Sequence, residues 1–222
     1  MNFMNLHNPK TALIVGATGL IGSQLVGLLL NSSRYKEVRV LVRKPLNNPH
    51  PKLVEVLYNF ARPDATQVIG DDVFCCLGTT MKQAGSKEAF YAVDHEYPLQ
   101  IARFALRNGA AQYLIVTAMG ASLDSTIFYN RVKGEVERDL RTVGFNTLHI
   151  FRPSLLLGDR GERRLGEKIG ETVMRFFDPI MVGVLKKYRA IDSGKVAQAM
   201  LASASQEKTG VFVHESDELQ TY

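Results

Sequence analysis

Residues 13–22 read LIVGATGLIG, with glycines at 16, 19 and 22. This stretch joins an apolar segment, TALIVGA from Thr11, to LIGSQLVGLLLNSS from Leu20, whose apolar residues recur at helical spacing. A buried strand that turns through three glycines into a helix allows few folds. Gly16 permits the tight turn. Gly19 lets a phosphate approach the backbone with no Cβ in the way. Gly22 lets the helix pack closely on the strand. The helix then presents free N–H groups and its positive dipole end at Thr18, Leu20 and Ile21, where an anion is favoured. A glycine triplet alone is weak evidence, but here it follows a strand and opens a helix, as a dinucleotide pyrophosphate site requires.

The alternation continues down the chain. EVRVLVRK from Glu37, KLVEVLY from Lys52, DDVFCCLG from Asp71, QYLIVTAMG from Gln112 and NTLHIFRPSLL from Asn146 read as further strands, with GVFVHES from Gly210 as a short last one. Between the fourth and fifth, SKEAFYAVDHEYPLQIARFALRNGA reads as one long amphipathic helix closed by Gly109. Alternating strands and helices imply parallel pairing with right-handed crossovers, and nearly continuous apolar strands imply a sheet covered on both faces. The expected fold is α/β, a Rossmann-type doubly wound sheet in one domain over residues 1–222. A polar, glycine-rich insertion over about 158–190 is expected on the substrate side.

The 222 residues, 45% of them hydrophobic and 22% charged, suffice for one well-packed domain and argue against disorder. The formal charge of +5 suits an anionic ligand. With no block of like charges and no recognition motif, no nucleic-acid partner is expected. Two adjacent cysteines, Cys75 and Cys76, exclude a disulfide framework and suit a reducing compartment. They are expected buried, one on each side of the sheet. The start lacks the apolar core of a signal peptide, and no apolar run is long enough for a membrane span. The expectation is a cytoplasmic protein with no membrane partner.

The ends of the expected strands carry the chemistry. Arg43 and Lys44 follow the second strand, where sites for NAD place a carboxylate for the ribose hydroxyls. A guanidinium there suits a 2′-phosphate, so NADP(H) is expected over NAD(H). Leu77, Gly78 and Thr79 follow the fourth strand and would edge the same crevice.

Tyr129 and Lys133 stand one helical turn apart in IFYNRVKGEVERDL. An unperturbed tyrosine, with a pKa of about 10, is a poor acid–base group at neutral pH, and a neighbouring ammonium makes it a better one. Such a tyrosine could protonate a carbonyl oxygen while a bound nicotinamide delivers hydride to the carbon. A hydroxyl from the preceding strand end could polarise that oxygen. Thr117 is the first candidate and Ser122 the second.

Taken together, GATGLIG, CCLGTT, YAVDHEYP, TAMGA, YNRVKGEVE and FRPSLLLGDR resemble the short-chain dehydrogenase/reductases, from about Thr11 to Asp192. The nearest likeness is to their atypical branch, the Tat-interacting-protein-like oxidoreductases, within the NAD-dependent epimerase/dehydratase superfamily. The resemblance implies bound NADP(H), Tyr129 as acid–base, Lys133 as its partner and cofactor contact, and a Ser or Thr as third member. It also brings Pro153 and Ser154 beside the nicotinamide. The chain departs from the pattern at the usual serine, here Thr117 or Ser122, at Met119, and at Asp94 where many relatives carry Asn. Asp94 either supports the site or caps a turn.

An NADP(H)-dependent oxidoreductase acting on a small carbonyl or alcohol is therefore the leading expectation. The alternative is a non-catalytic dinucleotide-binding regulator with a protein partner, since members of the branch are described as interaction proteins. A nucleotide-sugar epimerase or dehydratase is less favoured, because only about seventy residues follow the sixth strand. Arg160, Arg163 and Arg164 could attract an anionic substrate, though such charge runs are usually solvated. His95, His149 and His214 have no ligand spacing, so no metal is expected.

Overall fold

The computed structural model describes residues 9–157, 189–206 and 208–222. Seven strands form one parallel sheet: β1 Lys10–Val15, β2 Tyr35–Val42, β3 Leu53–Leu57, β4 Asp72–Cys75, β5 Gln112–Val116, β6 Thr147–Arg152 and β9 Gly210–Glu215. Their order is β3-β2-β1-β4-β5-β6-β9. The order reverses between β1 and β4, the switch point outside which doubly wound sheets bind ligands. Two short strands, β7 Leu156–Leu157 and β8 Ile191–Asp192, pair separately. They were not legible in the sequence, being two residues each.

The strands alternate between two cores. Ala12 and Ile14 of β1 face one, together with Leu25 and Leu29 of α1 (Leu20–Asn31). Leu13 and Val15 face the other. The remaining helices are α2 Met81–Ala84, α3 Lys87–Tyr91, α4 Tyr97–Arg107, α5 Phe128–Arg141, α6 Ser193–Ala204 and α7 Ser216–Leu219. Val196 and Met200 of α6 join the first core, and Ile101 and Ala105 of α4 with Val136 and Leu140 of α5 join the second. Each fully buried Leu or Ile contributes about 2 kcal/mol of transfer free energy. Cys75 is buried in the second core, whereas Cys76 is only partly buried, against the first. Burial of both was the expectation. Cys76 falls short because it already lies beyond the end of β4, at the edge of the sheet.

The long helix also differs from its expectation. Ser86 caps it through a hydrogen bond from the Ala89 N–H, and Gly109 ends it with φ +90°. Between these ends, Ala92–Glu96 form a π turn. Pro98 is the cause: it has no N–H to give the Asp94 carbonyl four residues back, and its ring would crowd that carbonyl. The widened turn relieves both problems and leaves Asp94 and His95 buried. The expected insertion lies outside the described residues over 158–188, as do Arg160, Arg163 and Arg164.

Candidate active site

All seven strands run parallel, so the segments after β1, β2, β4, β5 and β6 share the sheet's carboxyl edge. Gly16 sits there with φ +84°, and a Cβ on it would stand 2.5 Å from the Cys76 carbonyl oxygen. A Cβ on Gly22 would overlap the Gly16 carbonyl. These two glycines let the turn, α1 and the end of β4 close together. Gly19 is the N-cap of α1, extended at φ −76° and ψ 172°, and no side chain caps the helix. The first N–H groups of a helix have no intrahelical acceptor, so Leu20 and Ile21 offer theirs outward. No acidic residue occupies this first turn. An uncapped helix start beside a Cβ-free turn at the switch point fits a dinucleotide pyrophosphate. Thr18 is exposed in the turn.

Arg43 and Lys44 are exposed just past β2, next to β1 in the sheet. On the other side of β1, Leu77 and Thr79 are half-buried and Gly78 is exposed. The Thr79 N–H donates to Asp94 Oδ2 at 2.9 Å.

The first turns of α5 bring the titratable groups together. Tyr129 is half-buried, with its ring 5.7 Å from that of Phe90. Lys133 is buried at 3% exposure. Gly134 makes room for this, since a Cβ there would overlap the backbone at Ser122. Lys133 Nζ lies 2.8 Å from Asp94 Oδ1. Burial disfavours the lysine's charge, but the Asp94 carboxylate and Tyr129 outweigh it, so the ammonium is held above lysine's ordinary pKa. Asp94 thus belongs to the Lys133 environment and does not cap a turn. It was the residue the sequence left open, and Pro98 four positions on was the signal for its burial.

The two candidate hydroxyls are placed differently. Thr117 is buried and donates to Glu137 Oε1 at 2.7 Å, also lying 3.3 Å from the Phe151 carbonyl. Glu137 in turn pairs with Arg152 at 2.6 Å, and Arg152 reaches Glu215 at 2.9 Å. The Thr117 hydroxyl is thus bonded to a carboxylate within the protein. Ser122 is exposed, and its Oγ accepts from the Asp124 N–H at 3.3 Å, leaving its own proton free. Pro153 is buried and accepts the Met119 N–H at 2.9 Å. Ser154 donates to the Arg189 carbonyl, and its N–H donates to Ser216 Oγ at 3.1 Å. The Ser154 side chain thus ties the end of β6 to the segment before β8.

Residues 12–123 match the model of the NAD dependent epimerase/dehydratase family. The chain belongs to this family. Protein FMP52, mitochondrial, of Eremothecium gossypii is 32% identical over 94% of this chain and 95% of its own length. FMP52 of Candida albicans is 35% identical over 83% of this chain and 84% of its own, and Protein HTATIP2 of Rattus norvegicus is 34% identical over 86% and 80%. Solved structures share the fold. MoeE5 in complex with UDP-glucose and NAD superposes with a TM-score of 0.68 at 16% identity, covering 91% of this chain and 74% of that one. UDP-glucuronic acid 4-epimerase from Bacillus cereus, in complex with NAD, gives 0.69 at 12% identity, covering 94% and 78%. Membership makes the chain an oxidoreductase-like member of an NAD(P)-binding family. The comparison also overturns the expected cytoplasmic location, because several of the most similar relatives are named as mitochondrial. Two adjacent free cysteines cannot tell one reducing compartment from another. Among the described residues no helix is long and apolar enough to cross a membrane.

Proposed function

We propose that this protein is an NADP(H)-dependent oxidoreductase that reduces or forms a small carbonyl, with Tyr129 as acid–base and Lys133 as its partner. The observation that carries the reading is the buried Lys133 ammonium one turn from the half-buried Tyr129, at the edge where the glycine turn lies. A bound nicotinamide would supply the hydride. Tyr129 would give its phenolic proton to the substrate oxygen in reduction and take it back in oxidation. Lys133, held charged, stabilises the phenolate left behind. Leu20 and Ile21 would receive the pyrophosphate on their N–H groups, and Arg43 with Lys44 would pair with a 2′-phosphate. With Thr117 committed to Glu137, Ser122 is the remaining candidate to steady the substrate oxygen. The mitochondrial naming of FMP52 supports a mitochondrial setting.

The test is NADPH oxidation across a panel of aldehydes and ketones by the wild type and by Tyr129→Phe. The variant is expected to lose turnover by about 10³-fold and to keep its affinity for NADPH. Equal turnover in the two proteins would refute the mechanism. The interaction-protein reading would gain if NADPH bound tightly, no carbonyl consumed it, and a partner's affinity changed with the cofactor.

A further inference from the structure

We propose that the substrate carbonyl carries an apolar chain, aliphatic or aromatic, which lies along Leu123, Ile127 and Leu155 beside Tyr129. This rests on the oxidoreductase reading of Tyr129 and Lys133 given above and names the class of its substrate. Single large apolar side chains in water are ordinary, but their grouping is informative. Among the described residues, five of the seven exposed ones stand at the carboxyl edge of the sheet. Leu57 ends β3, Met81 follows β4, Leu123 and Ile127 follow β5, and Leu155 follows β6. Three of these flank the proposed proton donor. Ile127 is the N-cap of α5, two residues before Tyr129, and is 59% exposed. The Ser122 N–H donates to the Asn130 carbonyl at 3.1 Å, which brings the neighbouring Leu123 to the first turn of α5. The Met119 N–H donates to the Pro153 carbonyl at 2.9 Å, which draws the segment carrying Leu155 alongside.

Ile127 breaks a local rule. Helix N-caps favour Ser, Thr, Asp or Asn, whose side chains accept a free N–H. Ile127 makes no such bond and turns an apolar side chain to water, so the helix forgoes a cap at this position. Such a conflict between local stability and sequence is expected where a residue serves a ligand. The Tyr129 ring itself lies 5.7 Å from Phe90, and Phe90 lies 5.7 Å from Phe128. The charges on the same segments do not suit a nucleotide sugar. Arg131 donates to the Ser125 carbonyl at 3.0 Å and, with Lys87, lies over the Phe128 ring. Arg152 is held by Glu137 and Glu215. Asp124, exposed next to Leu123, repels a phosphate. An apolar chain needs only the surface that these segments present.

The experiment measures kcat/KM for NADPH-dependent reduction of straight-chain aldehydes from butanal to octanal, with glyceraldehyde as the polar comparison. In each turnover the carbonyl carbon takes hydride from NADPH and its oxygen takes the Tyr129 proton, giving the alcohol and NADP⁺. In the wild type kcat/KM is expected to rise about twofold per methylene, or about 16-fold over the series, since the chain is only partly covered. The double variant Ile127→Ser, Leu155→Ser is expected to lower the octanal-to-butanal ratio about fivefold. Ile69→Ser, before β4 at the opposite edge, is expected to keep that ratio. A flat series, or glyceraldehyde preferred over butanal, overturns the proposal. If no aldehyde is reduced, the oxidoreductase reading fails on its own account, and the apolar surface is read without turnover. Amide shifts of ¹⁵N-labelled protein are then followed by NMR during titration with 1-octanol and with glycerol. Shifts at Leu123, Ile127 and Leu155 with octanol alone support the surface, and none at these residues overturns it.

Discussion

The two edges of this sheet each hold a buried carboxylate among cations, and they put it to different use. At the amino edge, Asp72 is fully buried at the start of β4. It accepts the Tyr35 hydroxyl at 2.7 Å and Arg34 Nε at 3.1 Å, and lies 3.5 Å from Lys10 Nζ. Three side chains from two other chain segments converge on it there. At the carboxyl edge, Asp94 is equally buried, but its partners are a loop N–H and an amine beside a half-buried tyrosine. Nearby stand an uncapped helix start and a turn with no room for a Cβ. One edge is closed by its own hydrogen bonds and the other leaves donors facing outward. Buried charge of the first kind fixes a fold, and of the second kind prepares a site.

Substitutions at the two edges should therefore separate stability from binding. The largest effect is expected for Gly16→Ala. A Cβ there meets the Cys76 carbonyl, and alanine resists φ +84°. Denaturant melts should show a loss of about 4 kcal/mol together with loss of NADPH binding. Asp72→Asn, at the other edge, should cost about 3 kcal/mol and leave the NADPH affinity unchanged, which calorimetry of the folded variant would check. Weakened NADPH binding in that variant would erase the distinction between the edges.

A third effect concerns the β6–β9 side of the sheet. His149 is buried against His214, with Nδ1 to Nε2 at 3.0 Å. Burial, then the neighbouring His214 and Lys208, pulls His149 down to about 4. Between its ordinary value near 6.5 and about 4, the unfolded chain binds more protons at this residue than the folded one. Stability should thus be retained above that window and fall as pH drops through it, by about 3 kcal/mol. His149→Phe should flatten melting temperature against pH over that interval. The smallest effect belongs to Arg43→Ala, expected to weaken NADPH by about tenfold and leave NADH unchanged. Equal losses for both nucleotides would remove Arg43 from the 2′-phosphate.

Much of this was legible in the sequence, because the signals were local. The glycine turn, the strand–helix alternation and the Gly109 stop each lie within one short window, and all seven strands of the main sheet were anticipated. Errors arose where distant residues decide. β2 begins at Tyr35 and not Glu37, since Tyr35 is drawn in by Asp72, far along the chain. The bond from Thr117 to Glu137, itself paired with Arg152, has no local trace in the sequence. Neither do the bonds of Ser154 to Arg189 and Ser216. The role of Asp94 depended on a π turn whose only sequence trace is Pro98.

The most direct measurement is a calorimetric titration of the purified, cofactor-stripped protein with NADPH and then NADH. The account expects one NADPH per chain, bound more tightly than NADH. No binding of either nucleotide would contradict it, leaving Gly16, Gly19 and Gly22 as packing residues alone.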